Sequence, residues 1–221
     1  MMKKEKSFLK AFFDFSSGIM LINVCFIITS LPFFLAYIFV IPSFYNLLIF
    51  GIAALPMGAS LAATFGVCRK FMADKELAIV SQFFKDYKTN FKSATHFWSI
   101  QLMMMGIFSL NYRYVTQTGN MRILFPLYLI GIFITLLLSC YAFPILSRFE
   151  MKIKHLYLVS FSCLFRYYKV TLLNIAIIIA AILTSMQFSF MITLLIFSIT
   201  CYFITYSTKD VLITLEEIGK D

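Results

Sequence analysis

Few residues in this chain have the types and spacing that catalysis requires. His96 and His155 are the only histidines, and neither has a carboxylate or cysteine at a spacing that would complete a metal site. The sequence has no H-E-x-x-H, no G-x-S-x-G and no glycine-rich phosphate loop. Because no acid–base pair can be assigned, an integral membrane enzyme is the least favoured function. We expect no catalytic residue, no metal and no cofactor.

Three amide side chains lie within long apolar runs: Asn23, Gln101 and Asn174. Such amides usually hydrogen-bond a neighbouring helix, and the alternative is a polar path for an uncharged sugar. No Asp or Glu lies in these runs, although intramembrane carboxylates commonly carry the coupling ion in transporters. Arg113 ends one run, where it either snorkels to the interface or contacts an anionic lipid or a partner loop.

The composition indicates a multi-pass membrane protein. Of the 221 residues, 61% are hydrophobic and 13% are charged, and the mean hydropathy is +0.89. The formal net charge is +9, but the lysines and arginines lie in short segments between apolar runs, which excludes a nucleic-acid-binding surface. The five cysteines form no C-x-x-C pair, so we expect neither structural disulfides nor a zinc site.

We therefore predict an all-α integral membrane protein that forms a single domain over residues 1–221. The six predicted transmembrane helices span about residues 15–40, 44–67, 94–115, 123–147, 170–186 and 188–206. Pro32 should kink the first span and Pro56 should bend the second. The last two spans come from one apolar stretch that we divide near Gln187, because it is too long for one crossing.

Two amphipathic segments between the spans are predicted to be interfacial helices, over about residues 77–93 and 150–168. In the first, aromatic residues such as Phe83 and Phe91 share one helical face, whereas Gln82, Asp86 and several lysines share the other. Such a helix is expected to lie in the lipid headgroup layer, with its charged face in water.

The distribution of basic residues predicts the orientation. In the six-span arrangement, 17 of the 19 lysines and arginines lie on the side that holds both termini. Only Arg113 and Arg122 flank the opposite side, where a short loop over 116–122 contains Gly119 and Asn120. By the positive-inside rule, both termini are expected in the cytoplasm.

Small residues recur at every fourth position in the second span: Ala54, Gly58, Ala62 and Gly66. This ridge allows a neighbouring helix to approach closely. We expect it to pack inside this bundle, and packing against another protein is the alternative.

Several motifs resemble the YesL-like family of bacterial membrane proteins, a family of unassigned function. The matching residues are Ser30-Leu31-Pro32, Arg69-Lys70-Phe71, Phe83-Phe84, Asn90-Phe91-Lys92-Ser93-Ala94-Thr95, Trp98 and the run from Tyr141 to Phe149. Family members are commonly encoded beside carbohydrate ABC importers in Gram-positive bacteria. The resemblance implies an accessory subunit in the bacterial cytoplasmic membrane. This chain lacks the coupling loop of ABC permeases, so we do not expect it to be a permease itself.

The favoured function is thus a non-catalytic interaction protein that docks on the permease subunits of such an importer and supports its assembly or stability. Membrane lipids and those permease subunits are the expected partners, and nucleic acid is not. The candidate partner-binding residues are Phe83, Phe84, Tyr87, Asn90, Phe91, Lys92, Pro144, Arg148, Phe149 and Glu150. The alternative is an autonomous transporter or channel for a sugar or another small solute.

Overall fold

A computed structural model describes residues 2–74, 77–118, 125–187 and 190–218. Every regular element within these ranges is helical. The α-helices are α1 (Met2–Thr29), α2 (Leu31–Phe39), α3 (Leu47–Ala53), α4 (Leu55–Ala73), α5 (Ile79–Thr118), α6 (Phe125–Leu146), α7 (Ile153–Arg166), α8 (Tyr168–Gln187) and α9 (Phe190–Ile218), and a short 3-10 helix, Phe44–Asn46, precedes α3. The protein is therefore all-helical in the part of the chain that is described.

Prolines mark breaks in the first two predicted spans. Pro32 is in the first turn of α2, which is bent by 65° from α1. Pro56 is in the first turn of α4, directly after α3 ends. Proline has no N–H to donate and fits the start of a helix better than its interior, so the chain restarts a helix at each proline. Both deviations agree with the sequence prediction.

Helix α5 contradicts a predicted boundary. The sequence suggested an interfacial helix over 77–93 followed by a separate span over 94–115, but α5 continues without interruption for 40 residues. At 1.5 Å per residue it is about 60 Å long, roughly twice the thickness of a hydrocarbon core. Ala94 and Phe97, at the expected junction, are fully buried, so core packing continues through this point. The lysine-rich first half therefore extends the second half along one axis and does not form a separate helix in the headgroup plane.

The long helices α1, α4, α5, α6, α8 and α9 alternate in direction along the chain. Phe15 of α1 has its ring centroid 5.0 Å from that of Tyr202, and the ring of Phe26 lies 4.4 Å from that of Phe197, so α1 and α9 are antiparallel. The contacts of α4 with α1 and α5, and of α5 with α6, are antiparallel too. Helices α8 and α9 follow each other as a hairpin.

This alternation gives the bundle two distinct ends. At one end, which we call the charged end, Lys70 pairs with Asp86 and Arg148 pairs with Glu216. Arg113 lies near the opposite end of α5.

Aromatic side chains fill the centre of the bundle. Phe143 of α6 stacks on Phe65 of α4 at 6.3 Å and meets Phe97 of α5 edge-on at 5.4 Å. Tyr157 places its ring 5.0 Å from that of Phe97, which joins α7 to this core. Helix α7 is amphipathic, as predicted for 150–168, but shorter.

Three helical stretches in the described residues are long and apolar enough to cross a membrane: Leu47–Ala73, Pro126–Leu146 and Tyr168–Gln187. The bent pair Phe13–Thr29 and Leu31–Phe39 adds a fourth if it forms one span. These apolar helices indicate a protein that is embedded in a membrane. Helix α9 continues past the predicted end at residue 206. The predicted loop residues Gly119, Asn120 and Arg122, and the start of the predicted span at residue 123, lie outside the described residues.

Candidate functional site

A carboxylate is held inside the charged end by two side chains, and a third side chain binds the backbone of the same residue. Asp86 of α5 is only 7% exposed. Its Oδ1 and Oδ2 accept hydrogen bonds from Lys70 Nζ at 2.7 and 2.9 Å, and its Oδ1 also accepts one from Gln82 Nε2 at 2.8 Å. Asn90 donates to the Asp86 backbone carbonyl at 3.1 Å. Because buried charges require partners, this network fixes α4 against the first half of α5.

Gly66 provides the space that Asp86 occupies. A Cβ added at Gly66 would lie 2.8 Å from Asp86 Oδ2 and 3.5 Å from Ser147 Cβ. The small-residue ridge of α4 also packs closely about two turns before Gly66. There, a Cβ at Gly58 would collide with the Trp98 side chain. Trp98 Nε1 donates to the Ala54 carbonyl at 2.9 Å.

The four ridge residues Ala54, Gly58, Ala62 and Gly66 are all buried. The structure thus places the small-residue ridge against α5 of the same chain.

A second ion pair extends the cluster to α6 and α9. Arg148, just after α6, donates from its Nη2 to Glu216 in the last turns of α9. Arg148 also lies 5.8 Å from the centroid of the Phe149 ring. Arg69 stands beside this pair, and its buried Nε has no hydrogen-bond partner within the described part of the chain. The cluster therefore ties the ends of α4, α5, α6 and α9 together.

Several of the candidate partner-binding residues are committed to the protein's own core. Phe83 is fully buried, and Pro144 is buried as well, so a partner cannot reach either in this structure. Arg148 is paired with Glu216, and Phe149 packs against the core. The structure therefore contradicts the inclusion of Phe83 and Pro144 in a docking surface.

The remaining candidates are at least partly exposed, and all except Glu150 lie on α5. Phe84 is 36% exposed and Phe91 is 44% exposed. Lys92 and Glu150 are exposed, whereas Tyr87 and Asn90 are half-buried. The ring of Tyr87 contacts that of Phe91 at a centroid distance of 5.5 Å. This face of α5 is available to a partner.

The three intramembrane amides are not brought together. Asn23 Nδ2 donates to Ser198 Oγ at 3.0 Å, and Asn174 Oδ1 accepts a hydrogen bond from Ser207 Oγ, so both amides bind hydroxyls of α9. Gln101 is fully buried, and its amide has no hydrogen-bond partner among the described residues. None of the three lines either of two apolar grooves of about 610 and 390 Å³. The structure therefore gives no continuous path through these amides.

The helical wheel assigned Asp86 and Gln82 to the solvent face, and for Asp86 the structure contradicts this. The buried stripe of α5 contains Phe83, Asp86 and Ala94 and is rotated from the aromatic face. The available signal was the i, i+4 spacing of Gln82, Asp86 and Asn90, in which amides flank one carboxylate.

The cysteines and acidic residues show no reactive site in the described part of the chain. No group of three His, Cys, Asp or Glu side chains could hold a metal ion there. All five cysteines are buried and unpaired. Burial raises the pKa of Cys163, in α7, to about 11, so this thiol is protonated at neutral pH.

Comparison with known proteins gives a family model that matches part of the chain. No curated protein and no solved structure matches the chain. Residues 19–112 match the family described as a protein of unknown function, DUF624. The match includes the Ser30-Leu31-Pro32, Arg69-Lys70-Phe71 and Asn90-to-Trp98 motifs, and it ends before the Tyr141-to-Phe149 run. Residues 19–112, fewer than half of the chain, are therefore similar to the DUF624 family. The YesL-like proteins belong to that family, so the match agrees with the resemblance seen in the sequence.

Proposed function

We propose that this chain is an accessory, non-catalytic subunit of a bacterial carbohydrate ABC importer. It crosses the cytoplasmic membrane six times, with both termini in the cytoplasm. It docks on the permease subunits and supports their assembly or stability. The resemblance to a family encoded beside such importers supports the choice of partner.

Helix direction and charge support the topology. The alternation of α1, α4, α5, α6, α8 and α9 fits six crossings, and the cluster of Arg69, Lys70 and Arg148 lies at the end where α1 begins and α9 finishes. By the positive-inside rule this end faces the cytoplasm. Ser147 and Asp86 both lie beside Gly66, so the turns of α5 before Asp86 extend past the end of α6.

The exposed face of α5 is the observation that carries the proposal. Phe84, Lys88, Phe91 and Lys92 recur at helical spacing and are exposed, and we call them the α5 docking face. The opposite side of the same helix is fixed to the bundle through Phe83 and Asp86. Exposed aromatic residues on a rigid element are typical of the core of a protein interface, and the lysines would lie at its polar rim.

The transporter alternative has less support. Asn23 and Asn174 use their amide groups on α9 hydroxyls, and two separate helix–helix hydrogen bonds stabilise packing without forming a hydrated route. Sugar uptake by liposomes that contain only this protein would favour the alternative.

Co-purification from native membranes tests the docking proposal. The tagged protein is extracted in a mild detergent, and co-purifying proteins are quantified by mass spectrometry. We expect permease subunits of a carbohydrate importer with the unmodified chain. The double variant Phe84→Ala/Phe91→Ala should recover at least about tenfold less, because the loss of two interface aromatics exceeds the 1.4 kcal/mol that corresponds to a factor of ten.

The matched control replaces two exposed apolar residues of α6, Ile130→Ala and Phe133→Ala, which lie away from the docking face. It should retain the permease at the unmodified level. Recovery of no importer permease with the unmodified chain would reject the proposed partner. Equal recovery with the α5 double variant would reject the α5 docking face.

A further inference from the structure

An apolar groove of about 610 Å³ lies between α5 on one side and α2 and α3 on the other. One wall includes Phe33, Leu48 and Gly51, and the other includes Leu102, Met103 and Gly106. Leu48 is 73% exposed and Met103 is 68% exposed, so the groove opens on the outer surface of the bundle. Its volume is within the range of about 300–1,000 Å³ that small-ligand sites occupy.

Two glycines keep the groove wide. A Cβ at Gly51 or at Gly106 would have no atom within 4 Å, so neither glycine is needed for close helix packing. A glycine in the interior of a helix is less favourable than an alanine. The described side chains of α2 and α3 include no buried residue, so this wall is not held by core packing. Both observations are explained if the groove is filled by something outside the chain.

Arg113 provides a charge at one end of the groove. It follows Gly106 by two helical turns and Leu110 by one, so it lies on the face of α5 that lines the groove. The Cα–Cβ bonds of a helix tilt toward its N-terminus, and the stem of Arg113 therefore leans back toward the groove. Its guanidinium offers a planar set of donors that suits a phosphate.

We propose that this groove binds one acyl chain of an anionic glycerophospholipid, whose phosphate is bound by Arg113. The apolar walls contact the hydrocarbon, and the flexible Met103 adapts to its shape. A partner helix fits less well. An apolar helix would not use the cation at the end of the groove. The proposal is independent of the importer.

Trp98 provides a probe at the back of the groove. It is the only tryptophan of the chain. Its Nε1 donates to the carbonyl of Ala54, and Ala54 and Leu55 line the groove together with Ser99. Lipids that carry bromine on an acyl chain quench tryptophan fluorescence at short range, so Trp98 reports an occupied groove.

The purified full-length protein is titrated in mixed micelles with brominated dioleoyl-phosphatidylglycerol or brominated dioleoyl-phosphatidylcholine. We expect saturable quenching with a preference of about fivefold for phosphatidylglycerol, as one interfacial cation provides. Arg113→Gln should reduce that preference to about one, and Arg113→Lys should retain part of it. Gly106→Leu should reduce quenching by both lipids, because the side chain fills the groove.

Ala180→Leu on the exposed surface of α8 is the matched small-to-large control and should leave quenching unchanged. Size-exclusion profiles and unfolding temperatures establish that each variant is folded. Equal quenching of the unmodified protein and folded Gly106→Leu would overturn the proposal. An unchanged headgroup preference in Arg113→Gln would overturn the assignment of the phosphate. A photo-reactive side chain at Met103 should form lipid adducts in native membranes, and predominant protein adducts would instead assign the groove to a partner helix.

Discussion

Asp86 and Lys70 form a two-point contact between adjacent helices. The ammonium nitrogen lies 2.7 Å from one carboxylate oxygen and 2.9 Å from the other. The Asp86 side chain is 11% exposed and that of Lys70 is 32% exposed, so the pair is at the boundary of the core, with its carboxylate the better-shielded partner. This position makes the pair a structural lock between α4 and α5.

Removal of one partner should destabilise the protein more than removal of both. Asp86→Asn leaves the Lys70 charge without its partner, and Lys70→Met leaves the more deeply buried carboxylate. We expect each to lower the free energy of unfolding by about 2–3 kcal/mol. In the double variant most of this loss should be recovered, because no unpaired charge remains.

Thermal unfolding in one detergent measures this coupling by a double-mutant cycle. Lys88→Met, an exposed lysine on the same helix, is the control and should change stability little. Additive effects of the two single variants would show that the ion pair contributes no coupling.

Two helical glycines should respond in opposite ways to alanine. Gly66→Ala places a methyl group 2.8 Å from Asp86 Oδ2 and should cost about 1–3 kcal/mol of unfolding free energy. Gly51→Ala points into open space and should be neutral or stabilising by up to about 1 kcal/mol. The unfolding temperatures of the two variants check this, and equal effects would contradict the packing of α4 on α5.

Cys163 should resist alkylation in the folded protein. Its pKa is raised by burial from 9.0 to about 11, so at pH 8 the thiolate is about 100-fold scarcer than in the unfolded chain. Because the pKa of Cys163 is higher in the folded state than in the unfolded chain, the contribution of this thiol to folding stability is fully present below about pH 9. It is lost as the pH rises toward 11. N-ethylmaleimide labelling of the peptide that contains Cys163, quantified by mass spectrometry, should be slow in the native protein and rapid in SDS. Equal rates would place the thiol in solvent.

The proposed topology predicts which exposed positions are accessible from outside the cell. In intact cells, a membrane-impermeant maleimide should label Tyr114→Cys, whereas Lys88→Cys and Lys209→Cys should react only after permeabilisation. All three positions are exposed, and the native cysteines are buried and give little background. Labelling of Lys88→Cys and Tyr114→Cys from the same side would contradict a crossing by α5.

Local sequence rules predicted the features that depend on a few neighbouring residues. Pro32 and Pro56 disrupt helices by their own covalent geometry, so the breaks at α2 and α4 were predictable. Helix α8 ends at Gln187, where the sequence placed a division on the basis of length alone.

Features that depend on distant residues were not predictable in the same way. The run from Lys85 to Lys92 is polar enough to resemble an interface, but burial of Ala94 and Phe97 keeps α5 continuous. Asp86 was assigned to water because its partner Lys70 lies 16 positions earlier and across a helix pair. No local pattern indicates such a pairing.

The uninterrupted length of α5 has a mechanical consequence. Between Asp86 and Arg113 the helix contains neither proline nor a change of helix type that could act as a hinge. In the proposed topology, a displacement of α5 at Phe84 would therefore be carried along one continuous helix toward Arg113. The α5 docking face and the α5 wall of the apolar groove are parts of this one helix, so the two proposed occupants would act on the same rigid element.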